Sequence, residues 1–393
     1  MTVEPSRERL FAGYAGRLSI ALSLGWLAIR LGREAVPPLL TAIAADLSLA
    51  PAETGVALSV LWGTYALTQY PGGSLADALS RTTVLVAALG CSAAGFALLA
   101  VAGGYPSFLV ALGFVGVGSG LYFVPTRALL SDLFVARRSQ AFGVNAAAGT
   151  VGGAGAAALA VLVLHVATWR AAFLPTAGLL VGVGLLLHRW SEEGYVLAGA
   201  SLDVRETGRR VLGVSRVRRL LAAYALFAFA AQAGLSFLPT LLQAEAGFSA
   251  PLASAAFGLL FVVGTVVSPV AGGLADRVAR TAVAAAALAV AAAGLAGVLL
   301  APGRPTVVAG VVVYAVGIRA FPPAMQAYAM DLFPAESMGG DFGALKTVYT
   351  GLGSLGPAYV GVVAQRADYA AAFAGLVGCL VLGFGTVLAL GRS

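Results

Sequence analysis

The chain has 393 residues, 60% of them hydrophobic and only 10% charged, with mean hydropathy +0.92 and a formal net charge of +7. A soluble domain carries about 25% charged residues, so this composition excludes an ordinary water-soluble fold and indicates a polytopic membrane protein. The positive charge tracks the edges of apolar segments, which argues against a nucleic-acid partner.

The first seventeen residues, "MTVEPSRERLFAGYAGR", are charged and precede a segment too long for a signal-peptide core. No cleavage site is marked, so the first helix is expected to be retained. Apolar runs of about 20 residues, the length that spans a bilayer, then follow in chain order. They fall at 18–41, 54–75, 82–102, 107–131, 142–166, 171–188, 219–242, 251–273, 281–301, 306–330, 342–364 and 369–390. Most connections are short. The exception is the polar, charged stretch from Arg189 to Arg218 after the sixth run. The reading is an all-α integral membrane protein of twelve transmembrane helices in two six-helix halves, 1–188 and 219–393, joined by a linker at 189–218.

An even number of spans places both termini on one side. Seventeen Lys and Arg residues fall on that side and three (Arg170, Arg304 and Arg366) on the other. Cytoplasmic loops carry such an excess, so both termini are expected in the cytoplasm of a cell-membrane protein. Lys346, about one turn into the eleventh run, is counted with that cytoplasmic edge. The remaining four positive residues, Arg30, Arg33, Arg127 and Arg319, lie within runs. Cys91 and Cys379 sit in apolar helices and imply buried, unpaired thiols rather than a disulfide framework. His165 and His188 have no partner at ligand spacing, so neither a metal site nor any other cofactor is expected.

The two halves echo each other. "GSLADALSR" after the second run matches "GLADRVAR" after the eighth. Gly73, Asp77 and Arg81 correspond to Gly272, Asp276 and Arg280 at an offset of 199 residues. The same offset aligns Gly118 with Gly317, Asp132 with Asp331 and Phe134 with Phe333. A constant offset through several loops indicates duplicated six-helix units, as secondary transporters have. Glycine allows close helix approach, and a carboxylate at a helix boundary can sit against the positive N-terminal end of another helix. Asp77 is therefore a candidate latch to the start of helix 11, and Asp276 to the start of helix 5. Both latches would break when the protein opens inward. Gly73, Asp77, Arg81, Gly272, Asp276, Arg277 and Arg280 form this gating motif.

With twelve spans, a charged middle loop and that repeated motif, the chain resembles the major facilitator superfamily along nearly its whole length. The family motif runs roughly G-x-x-x-D-R/K-x-G-R/K-R/K. The first copy departs from it at Ala78, Ser80 and Thr82, and the second has Ala279 in the glycine place. "TWRAAF" from Thr168 also looks family-like, whereas the glycine-proline motif of helix 5 in drug/proton antiporters is replaced by Gly152–Gly155. The resemblance implies that helices 1, 4, 7 and 10 line a central cavity.

On a helix, Arg30, Arg33 and Glu34 share one face, since residues three and four apart are neighbours. Charges within a membrane point at partners or at water-filled cavities. By the resemblance, Arg127 and Arg319 also fall on lining helices. A cavity holding these four arginines and the single carboxylate Glu34 attracts anions, and guanidinium forks suit carboxylate or phosphate. The alternative is a neutral Arg30–Glu34 pair with Arg33 and Arg127 snorkelling to the membrane edges. Gln232, Gln326, Tyr122, Trp62, Tyr65 and Gln69 are weaker candidates, each equally suited to an interhelical contact. Pro37 with Pro38, and Pro322 with Pro323, are expected bends.

The expected function is secondary active transport of a small, anionic solute by alternating access, coupled to protons or to exchange, by a monomer in the lipid bilayer. Glu34 would pair with Arg30 or carry a coupling proton. The competing expectation keeps the fold and moves lipophilic compounds outward at the expense of protons. No phosphate-binding Gly-Lys loop is present. No cluster of His, Asp and Glu marks an enzyme either.

Overall fold

The computed structural model describes residues 9–196, 213, 215–333 and 338–391; the side chains of Asp77 and of residues 338–340 lie outside that description. Most of the expected linker lies outside it as well. The described residues form α-helices throughout, plus one 3₁₀ turn, with no strand among them. In order the helices are α1 (Gly13–Leu47), α2 (Pro51–Ala78), α3 (Arg81–Ala100), α4 (Tyr105–Leu133), α5 (Arg138–Val166) and α6 (Phe173–Trp190). After the linker come α7 (Ser215–Ala244), α8 (Ala250–Ala275), α9 (Arg280–Leu300) and α10 (Arg304–Leu332). The last three are α11 (Met338–Gly353), α12 (Leu355–Arg366) and α13 (Tyr369–Gly391).

Helix ends follow the local chemistry. Proline stands in the first turn of α2, α4, α8 and α10, where its missing N–H costs nothing. Ser80 caps α3 by accepting from the Thr83 amide, and Ser249 caps α8 by accepting from the Leu252 amide. α1 turns off at Ser48, whose φ of 53° is left-handed. α1 and α10 run on through their proline pairs, which lie inside the helices.

The eleventh run is two helices. α11 stops at Gly353 and α12 restarts at Leu355. Pro357 has no N–H to offer the Gly353 carbonyl, and glycines at 351, 353 and 356 weaken the helix around it. Nine of the described helices are long and apolar enough to cross a membrane; α1, α2 and the α11–α12 pair fall outside that group. These three crossings carry the polar and broken stretches; α1 is buried along much of its length, whereas α2 and the α11–α12 pair keep exposed leucines at Leu67, Leu352 and Leu355. Cys91 and Cys379 are unpaired, but half-buried rather than buried.

The repeat read from the sequence recurs in the packing. α3 crosses α4 where a methyl added at Gly118 would lie 2.5 Å from the Ser92 amide and 2.6 Å from the Ala88 carbonyl. α9 crosses α10 where one at Gly317 would lie 2.3 Å from the Ala291 amide and 2.6 Å from the Ala287 carbonyl. Each partner is displaced by the same 199 residues as the glycine.

The halves meet along two seams. In one, α2 and α12 touch at Gly55 and Gly361, and the Ala358 amide donates to Ser59 Oγ at 2.8 Å. In the other, α5 and α8 meet at Gly153 against Phe261 and Ala157 against Gly258. Both seams lie toward the end of the bundle that holds the α1–α2 and α7–α8 turns. At the opposite end, the exposed C-cap Asp276 has Arg280 as its charged neighbour, and no hydrogen bond or ion pair joins it to α5 among the described residues. The expected Asp276 latch is therefore unmade in this conformation. The Asp77 latch lies outside the described side chains.

Candidate functional site

About one turn past the middle of α1, Glu34 is held between two arginines. Arg30 Nη1 donates to Glu34 Oε1 at 2.7 Å across one turn. Arg33 donates to the same oxygen through Nη2 at 3.1 Å and Nε at 3.3 Å. Arg33 is 3% exposed and Glu34 1%, so both are fully interior. Glu34 Oε2 and Arg33 Nη1 have no partner. An unpaired buried polar atom is costly, and here one acceptor and one donor are left so.

Aromatic rings surround the guanidinium groups. Arg33 lies over Trp62 at 4.8 Å and Tyr65 at 4.9 Å, both on α2. Trp62 in turn donates to Ser236 Oγ on α7 at 3.1 Å, which ties the first half to the second at this site. Arg30 and Arg319 sit over the ring of Phe261 on α8, at 5.5 Å and 4.9 Å. Arg319 Nε donates to the Leu260 carbonyl at 2.9 Å, and its Nη2 is buried without a partner. Arg127 on α4 lies over Phe123 at 4.9 Å and Phe142 at 5.5 Å, with Nε unpartnered. The ring quadrupole supports a cation where water is scarce, at roughly 2 kcal/mol when desolvated. That explains how guanidinium groups persist here with so few anionic partners.

All five charged residues named for the site thus face the interior. Arg30, Arg33, Glu34 and Arg319 form one connected group. Arg127 stands apart, linked through Tyr65 and Phe123. The snorkelling alternative does not describe Arg33, which is buried against Trp62 and Tyr65.

Lys346 corrects the sequence reading. It lies about two turns inside α11, with Nζ 3.5 Å from the centre of the Phe123 ring. It is not at a helix edge, because α11 begins at Met338, earlier than its hydropathy suggests. The polar run "MGGD" hides that start, and no sequence signal separates an edge lysine from an interior one.

The other polar candidates divide. Gln232 donates to the Thr350 carbonyl at 3.2 Å, and Tyr122 to the Leu22 carbonyl at 2.9 Å; both are interhelical ties. Gln69 is different. It lies on the Trp62–Tyr65 stripe of α2, is 2% exposed, and neither its Oε1 nor its Nε2 has a partner. Of the gating motif, Arg81 pairs with Asp132 and Arg280 with Asp331. Gly73 faces Val124 and Gly272 faces Pro323, each on the helix two further along its own half. Arg277 is exposed at the end of α8.

The chain is a multi-pass helical bundle with a duplicated half and a charged interior. The model of the Major Facilitator Superfamily matches residues 22–357, and the chain belongs to that family. No curated protein sequence matches it. Among solved structures, a bacterial homolog of the human lysosomal transporter Spinster, inward-facing and occupied, superposes with a TM-score of 0.83 at 17% identity, over 96% of this chain and 97% of that one. The nucleoside transporter NupG, as a point mutant, gives 0.77 at 16% identity over 95% and 99%. A D-xylose-proton symporter gives 0.75 at 14% over 96% and 97%. At these identities the likeness is one of fold.

Proposed function

We propose that this protein is a secondary active transporter that carries a small anionic solute through the interior between its halves, by alternating access, with protons or a counter-solute as the coupling partner. The observation that carries the reading is the imbalance of buried charge. Arg30, Arg33 and Arg319 gather around the carboxylate of Glu34, and Arg127 and Lys346 add two more interior cations at the Phe123 ring. Buried charges are stable when paired, so a site this rich in cations is completed by an anion. In this reading residues 1–188 and 219–393 are the two moving halves and 189–218 the linker. The excess of Lys and Arg supports a cell-membrane protein with both termini in the cytoplasm. The described seams then close the outer side, and the Asp276 latch on the inner side is unmade. Twelve helices in one chain can act as a monomer, and no nucleic acid or cofactor enters the scheme.

The rings of Trp62, Tyr65 and Phe261 favour a second reading, proton-driven export of lipophilic compounds. One experiment separates the two. Purified protein is heated with small carboxylates, phosphorylated metabolites, inorganic anions and lipophilic cations, alongside Arg30→Ala and Arg319→Ala. A ligand that binds the folded state raises its melting temperature. Stabilisation by an anion class, lost in both variants, supports the first reading. Stabilisation by lipophilic cations, unchanged in both variants, overturns it.

A further inference from the structure

We infer that Arg33, Arg127 and Lys346 form the seat of a doubly charged anionic group, so that the solute of the proposed transporter is a divalent anion. This rests on the anion reading above and narrows it.

The argument is a count of which cations are already answered. Arg30 and Arg33 share the one oxygen of Glu34, and Arg30 holds it at the shorter distance, 2.7 Å against 3.1 Å. Arg319 spends Nε on the Leu260 carbonyl. On the other side of Arg33 no carboxylate follows. Arg33 leads over Tyr65 to Arg127, and Arg127 over Phe123 to Lys346. Both Arg127 Cζ and Lys346 Nζ lie within 4.9 Å of the same ring centre. Lys346 is near enough to Arg127 and Arg33 for their charges to repel. Neither Arg127 nor Lys346 makes a hydrogen bond or ion pair with any described residue, and the buried Arg33 Nη1 and Arg127 Nε are unpartnered donors. The other interior carboxylate, Asp341, sits more than a turn before Lys346 and already has a partner.

Three cations with this much unspent donor capacity repel one another in a poorly solvated interior. One negative charge leaves two of them unanswered; two negative charges leave one. Lys346 comes from the second half, whereas Arg33 and Arg127 come from the first. A divalent group seated here is therefore gripped from both sides, and its second charge is read by Lys346.

The test compares probes matched in size and different in charge. Succinate is set against monomethyl succinate, and methyl phosphate against dimethyl phosphate, at pH 8 by titration calorimetry on the purified full chain. Wild type, Lys346→Gln and Lys346→Arg are compared. The expected result is that at least one divalent probe binds about tenfold or more tightly than its monovalent mate. Lys346→Gln collapses that ratio toward one while monovalent binding persists, and Lys346→Arg retains it. If the mates bind equally in wild type, or the ratio survives in Lys346→Gln, the divalent assignment is overturned and the anion reading stands. If no probe binds while lipophilic cations do, both fall. A purely structural lysine would lower stability in Lys346→Gln without changing the ratio.

Discussion

Arg280 at the start of α9 is ion-paired with Asp331 at the end of α10, and 199 residues earlier Arg81 at the start of α3 is paired in the same way with Asp132 at the end of α4. The hydrogen bond from Arg280 holds the Asp331 carboxyl below its usual range. Each pair fastens two helix ends within one half, so each half can move as a body while its inner ends stay together. The motif read as a latch between halves thus has a second role inside each half, carried by its arginine rather than its aspartate.

The duplicated packing has a measurable consequence. Gly118→Ala and Gly317→Ala each drive a methyl into backbone atoms of the neighbouring helix, which cannot move aside as a flexible side chain can. Overpacking of this kind costs about 1–3 kcal/mol. The two variants should lower the melting temperature by similar amounts, because their surroundings are repeats of one another. A shift in one and none in the other would show that the halves, though similar in sequence, are not equivalent in packing.

The contrast between what the sequence discloses and what it withholds is instructive. Hydropathy marks nine of the described helices as long and apolar enough to span, and the offset of 199 residues predicts which glycines and which ion pairs are equivalent. Periodicity places Arg30, Arg33 and Glu34 on one face. It cannot say that both arginines choose the same oxygen of Glu34, since that depends on where Trp62 and Tyr65 arrive from α2. Lys346 and Phe123 are 223 residues apart, and only the folded arrangement brings them together. The break at Ser354 follows from Pro357, which leaves the Gly353 carbonyl without its donor, whereas the apolar run read at 342–364 passes straight through it.

Glu34 neutralises a pair of buried arginines, so its removal leaves them facing each other. Glu34→Ala should destabilise the protein by about 3 kcal/mol or more, the range for stripping one partner from a buried ion pair. Adding Arg33→Met removes one of the two stranded charges and should recover part of the loss. Thermal unfolding of both single variants and the double variant measures the coupling. A double variant no more stable than the sum of the singles would show that Arg33 does not depend on Glu34.

The seam at Gly55 and Gly361 holds the halves together toward the end bearing the α1–α2 turn. A methyl at Gly361 would lie 2.3 Å from the Pro51 carbonyl and 2.9 Å from Gly55 Cα. Gly361→Ala should therefore push α12 off α2 and shift the protein toward states open at that end. The readout is the alkylation rate of a cysteine introduced at Ser59, which donates nothing to the seam but accepts from the Ala358 amide. Faster alkylation in the Gly361→Ala background is expected; an unchanged rate would mean that the seam yields without opening.

Asp46 at the end of α1 takes a hydrogen bond from Arg170 Nη1 at 2.6 Å and another from Trp169 Nε1 at 3.2 Å, and the Arg170 guanidinium reaches on to the Ala102 carbonyl at 2.6 Å. These donors, Arg170 first, hold the Asp46 carboxyl below the ordinary carboxylate range. A folded-state pKa below the unfolded one means that the contribution is present above the unfolded value and is lost as pH falls through the folded value. Wild type should therefore exceed Asp46→Asn in melting temperature at neutral pH, by a small margin because the site is open to solvent. The two curves should converge as the pH is lowered below about 4, the unperturbed carboxylate value. The three ends that Arg170 gathers, from α1, from the α3–α4 turn and from the turn before α6, make this the analogue on the far side of the Arg81 and Arg280 pairs. A margin that stayed constant from neutral to acidic pH would show that Asp46 acts by its shape and not by its charge.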